Sequence, residues 1–220
     1  QEARGYFKQA NAIYETNRDK LRERLQALPK SLDPRKDADL YKERDQLRSD
    51  YVQTQFVSAM ISYETARSHQ PGSRKHKEGL KQAEQAFGNV AEKYRKRVAG
   101  LTAILFQGRC RQESQDLKGA LTYFNDLLEL PDNETALRRL KTSALVGAST
   151  CWLDEPIDQP ESAIEYGASW LKKERPDERS DTEWHQLKVL VGRALLQKSD
   201  EERGSSKSRM RADARRFALD

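Results

Sequence analysis

Three histidines and two cysteines are the side chains best suited to chemistry in this chain, and their spacing decides how much they can do. A thiol attacks as its thiolate and needs a positioned base together with a donor for the developing oxyanion. Cys151 and His185 are the pair that adjacent helices could bring together, but neither a positioned base nor an oxyanion donor accompanies them in the sequence. His69, His76 and His185 are scattered, and none has a second ligand at metal-site spacing. With only Cys110 and Cys151, a disulfide scaffold and a multi-cysteine zinc site are excluded. The expectation is a chain with no catalytic residue, no metal and no cofactor, in which these side chains serve packing.

Composition points the same way. Charged residues make up 34% and the hydrophobic set 36%, too polar for a thick core and too rich in spaced Leu, Ala, Tyr and Phe for disorder. Thin helix-rich layers satisfy both facts. The 40 Lys and Arg against 35 Asp and Glu leave a net +5 on a mixed surface. The basic stretch Arg203 to Arg216 and the smaller run Arg74 to Lys77 read as solvated faces, because no nucleic-acid motif accompanies them. No apolar run reaches membrane-spanning length, and no charged-then-apolar leader opens the chain. The first residue is Gln1 and the last, Asp220, falls inside a helical pattern, so a piece of a longer protein is expected. A processed leader would also explain Gln1, which leaves a cytoplasmic or exported location open. Oligomeric state is not legible.

Proline removes a backbone donor and clashes inside a helix, so the seven prolines cut the chain into helix-length pieces. Arg4 to Leu28 carries Phe7, Tyr14, Leu21 and Leu28 seven apart, with Ala10, Ile13 and Leu25 beside that line. Ala38 to Ser68 carries Leu40, Leu47, Tyr51, Val57, Met60 and Ile61. Each has one apolar stripe, and a short proline-containing loop should fold them into an antiparallel hairpin. Coiled-coil dimerisation is the alternative, weakened by the lack of a steady aliphatic seam. Shorter helices follow over about 75–97, 101–113, 116–129, 133–152, 160–173 and 179–199, with a last one from about Ser208. Asp132 or Asn133 is expected to cap one start, although Asn133, Glu134 and Thr135 also form a glycosylation pattern. Ser180 and Glu183 have capping-box spacing at another.

Gly108, Gly147 and Gly192 each sit mid-way along an apolar helix. Glycine there costs about 1 kcal/mol against alanine, so close approach of a neighbouring helix is the expected compensation. Gly108 is followed by Ala120, Phe124 and Leu127 on one face, then Pro131. Upstream, Ser62 with Ala83, Phe87 and Val90 gives the same signature. Downstream, Gly147 goes with Ala163 and the deeper Trp170, and Gly192 opens a further unit. This pattern resembles the tetratricopeptide repeat, with its small residue in helix A, Ala then Phe in helix B, and closing Pro. The units run longer than the standard of about 34 residues, and Arg111 stands where an aromatic is usual.

The resemblance implies an all-α fold: a right-handed α-solenoid of antiparallel helix pairs, preceded by a long helical hairpin. The hairpin would occupy 1–70 and cap a repeat region over 54–220, with units at 54–97, 101–131, 136–174 and 181–220. It further implies a scaffold or adaptor whose concave helix A wall binds a protein or peptide. Carried over position by position, that wall comprises Phe56, Tyr63, Arg67, Leu105, Arg109, Gln112, Lys141, Trp152, Gln186 and Arg193, with Ala59, Ala144 and Val189 between. Interleaved guanidinium groups and aromatic rings suit an acidic partner. The clamp that some members use for a C-terminal carboxylate is not expected, since of its positions only Lys141 agrees. A spacer that holds other domains apart, with nothing in its groove, is the other reading.

Overall fold

In the computed structural model, residues 2–219 are described, and among them the chain is all α, with nine α-helices, one 3-10 turn at Pro176–Glu178 and no strand. Gln1 and Asp220, the outer ends of the expected hairpin and last repeat, lie outside the described residues. The helices are α1 (Glu2–Ala27), α2 (Ala38–Arg67), α3 (Arg74–Tyr94), α4 (Val98–Glu113), α5 (Leu117–Leu128), α6 (Thr135–Leu153), α7 (Pro160–Leu171), α8 (Thr182–Glu201) and α9 (Gly204–Leu219). Five prolines lie between helices, Pro160 opens α7 at its first position, and Pro176 opens the 3-10 turn. Helices pack chiefly on their sequence neighbours, the solenoid-like arrangement of successive pairs after a long hairpin.

The chain divides into two compact units, Gln1–Cys110 and Arg111–Asp220, and the division falls inside α4. In the first unit α2, one unbroken helix, packs on both α1 and α3. Leu21, Leu47 and Val52 are buried along the hairpin, with Phe7, Ala10, Tyr14 and Leu25 half-buried. Ile13, expected beside that seam, is 67% exposed because it lies off the stripe. The small-residue crossing also differs from expectation. Gly79 lies against Ala66, where an added Cβ would stand 2.8 Å from the alanine Cβ. Ser62 faces a cleft shared with Arg4 and Phe7 and donates to the Ser58 carbonyl at 3.1 Å.

In the second unit α6 is the central helix, contacted by α5, α7 and α8, and every residue from Thr142 to Ser149 is buried. Gly147 makes this possible: a Cβ there would stand 2.5 Å from Cζ of Phe124 on α5. Its close partner is therefore the preceding helix, not the second helix of its own pair. Gly167 similarly receives Val191, whose Cγ2 would meet an added Cβ. Gly192 is looser, 3.3 Å from the Ala214 carbonyl oxygen by the same construction. Trp184, Phe124, Leu127, Leu187 and Val191 are fully buried in these contacts. At about 1.5 to 3 kcal/mol per buried side chain, neighbour-to-neighbour burial holds the unit.

Two helix starts correct the expected caps. At α6 the capping position is Glu134, with no side-chain cap bond, so neither Asp132 nor Asn133 fills that role. At α8 the cap is Asp181, not Ser180: its Oδ1 accepts from the amides of Glu183 and Trp184 at 2.8 and 3.2 Å. Arg111, standing where an aromatic is usual, pairs at 2.7 Å with Asp116, the cap of α5.

Candidate functional site

The first unit holds a cluster of four rings that α2, α3 and α4 bring together. Phe87 of α3 stacks on Phe106 of α4 at 5.1 Å between centroids, and Phe56 and Tyr63 of α2 meet Phe106 edge-on at 5.9 and 5.6 Å. Helical spacing does this: Phe56 and Tyr63 stand two turns apart on one face of α2. Phe87 is fully buried and Tyr63 is buried, while Phe56 and Phe106 are half-buried. Two guanidinium groups lie over the rings, Arg67 over Tyr63 at 5.4 Å and Arg109 over Phe106 at 5.0 Å. Arg67 is exposed and also pairs with Glu64 at 3.2 Å; Arg109 is half-buried. Ring quadrupoles hold such cations in place, so both forks are pre-positioned at the rim of the cluster. Leu105, expected on the same wall, is buried at 3% exposure and belongs to the core.

The other five wall residues lie in the second unit and divide by environment. Gln112 donates from Nε2 to the Gly147 carbonyl at 3.2 Å. Lys141 donates to the Leu130 carbonyl at 2.5 Å and lies 5.4 Å from the Trp170 ring centroid. Burial pushes its ammonium pKa below the ordinary lysine value. Trp152 is buried and stacked on Tyr166 at 5.4 Å. These three are internally engaged. Gln186 and Arg193 are exposed on α8, in line with Val189 and Leu196, which are 54% and 48% exposed.

A buried polar network in the second unit escaped the sequence reading. Arg138, 3% exposed, donates from Nε and Nη2 to the two oxygens of Glu178 at 2.5 and 2.9 Å, and from Nη2 to the Lys173 carbonyl at 2.6 Å. Its guanidinium lies 4.5 Å from the Trp170 ring centroid, and the Trp170 indole donates to Thr142 at 3.0 Å. Trp184 donates to Glu174 at 3.1 Å. A charge pair so enclosed is satisfied at every turn, and this one fastens the 3-10 turn to α6. Both ends of the pair are structural in this arrangement.

The thiol and imidazole groups occupy separate settings. Cys151 is fully buried, and its thiol pKa is pushed up to about 12 by desolvation first and by Asp154 second. His185 is exposed, with Nε2 on the Arg179 carbonyl at 2.8 Å. His76 is buried, accepting at Nδ1 from the Gly72 amide at 3.3 Å. No group of three or more His, Cys, Asp or Glu suited to a metal ion exists among the described residues. In the basic C-terminal stretch, Lys207 and Arg211 both pair with Asp200, at 3.4 and 3.1 Å. No helix among the described residues is long and apolar enough to cross a membrane.

The structure thus defines a class, an all-α protein of consecutively packed helices, with an aromatic cluster flanked by two arginines in its first unit. Comparison with known proteins goes no further: no family model, no curated protein and no solved structure matches the chain significantly.

Proposed function

We propose that this chain is a non-catalytic interaction module, a scaffold or adaptor of tetratricopeptide type, whose partner is an acidic peptide or protein segment. The supporting observation is the pair of guanidinium groups, Arg67 and Arg109, seated over one four-ring cluster. Half-buried Phe56 and Phe106 offer apolar area, and the two guanidinium groups set positive charge beside it. Arginine beside aromatic rings is the composition that concentrates binding energy in protein interfaces. The test is fluorescence anisotropy with a labelled peptide alternating Glu with Leu and Phe, against the same peptide with Gln for Glu. Arg67→Glu with Arg109→Glu should weaken capture at least tenfold while the circular dichroism spectrum stays unchanged. Unaltered affinity in the double variant removes this surface from consideration.

One observation favours the spacer reading for the second unit. Thr142 to Ser149 are all buried, which leaves no accessible wall along that stretch of α6 for a ligand. On that reading α6 is a strut and the second unit takes no groove ligand.

A further inference from the structure

The start of α1, the end of α2 and the start of α3 border an open cleft of about 480 Å³. That size falls in the range of about 300 to 1,000 Å³ typical of small-molecule sites. Its apolar lining comes from Phe7, Ile61 and Ala66. Its cationic lining comes from Arg4, Lys8 and Lys75, against a single carboxylate, Glu78. The tight contact of Gly79 on Ala66 draws α3 onto α2 and sets the position of Lys75, one turn earlier.

His69 organises the cationic side. Arginine has donors only, so Nη1 of Arg4 donates to Nδ1 of His69 at 3.3 Å, and the ring proton resides on Nε2. Desolvation, followed by the charges of Arg4, Lys75 and His76, holds the imidazole below its ordinary pKa. Arg4 is thereby anchored without being neutralised. A cleft with an apolar patch beside three cations and one carboxylate is complementary to one kind of ligand.

We propose that this cleft binds a small organic anion, with its apolar body against Phe7 and Ile61 and its carboxylate or phosphate held by Arg4, Lys8 and Lys75. The site shares no side chain with the Arg67 and Arg109 surface and stands or falls separately from it. The experiment is isothermal titration calorimetry of the full chain with octanoate, octyl phosphate, octanol and inorganic phosphate, each below its aggregation threshold. One or both amphiphilic anions should bind at least tenfold more tightly than octanol and than inorganic phosphate, and the tighter of the two identifies the headgroup. Lys8→Glu with Lys75→Glu, at exposed positions, should weaken that binding at least tenfold. Absence of binding by both amphiphilic anions, equal binding of octanol, or unchanged affinity in the double variant overturns the proposal.

Discussion

Replacing Gly147 by alanine separates close helix packing from helix propensity, because the two act in opposite directions. Alanine is favoured over glycine in a helix by about 1 kcal/mol. Here its methyl would stand 2.5 Å from Cζ of Phe124 and 2.8 Å from each Cε, and that ring is fully buried. Relief requires moving the ring or α6 itself, and overpacking of this kind costs about 1 to 3 kcal/mol. The net expectation is a loss of about 0 to 2 kcal/mol once the propensity gain is subtracted, against the gain of about 1 kcal/mol that a free helical position would show. Gly5 supplies the control: it is helical, nothing lies within 4 Å of its would-be Cβ, and Gly5→Ala should be neutral or stabilising. Urea unfolding followed by tryptophan fluorescence suits Gly147→Ala, since Trp152, Trp170 and Trp184 all belong to the unit that carries Gly147, and circular dichroism in the same titration reads the Gly5→Ala control in the first unit. A lower midpoint at unchanged slope reports the loss directly. Phe124→Leu in the Gly147→Ala background should recover part of it. If Gly147→Ala stabilises the protein as a free helical position would, the nesting argument is refuted.

Three further outcomes are expected. Arg138→Met should cost about 3 to 5 kcal/mol because it leaves Glu178 charged and enclosed, and adding Glu178→Met should restore much of the loss in the same urea assay; additive losses would contradict the pairing. Cys151, with its thiol pKa pushed up to about 12, should resist a thiol reagent at pH 8 in the native state and react after denaturation; rapid native labelling at that residue would count against its burial. Asp116 is held below its ordinary value of 3.8, first by its hydrogen bond from Arg111 and then by the Gly119 amide. Its stabilising contribution is therefore present above about pH 4 and fades as pH falls through the depressed value. Asp116→Ala should cost about 1 kcal/mol at pH 7 as a lost cap, and the difference from the parent protein should shrink as acid is added. A gap independent of pH would contradict this.

Proline positions and helical periodicity made the helices legible, since both act within a single turn. The glycine at 147 was legible as a close approach, but which helix it approached was not, because that depends on the next helix along. Caps shifted by a residue, from Ser180 to Asp181, because the backbone's extended position selects the cap among neighbouring candidates. Arg138 looked like any surface arginine; its partner Glu178 sits in a 3-10 turn that no periodicity announces. Its nearest signal was the pair of tryptophans that enclose it, Trp170 and Trp184. For the wall residues, spacing chose a face of each helix without showing whether water or another helix lies against it. Leu105 and Trp152 accordingly turn out buried, and Phe106, adjacent to Leu105, joins the rings instead.

Amide shift mapping of the isotopically labelled chain, titrated with the Glu-rich amphipathic peptide, addresses the binding surface most directly. Perturbations should concentrate at Arg67, Arg109, Phe56 and Phe106 and disappear in the Arg67→Glu, Arg109→Glu variant. Shifts confined to Val189, Arg193 and Leu196 of α8, or no shifts at saturating peptide, would contradict the account.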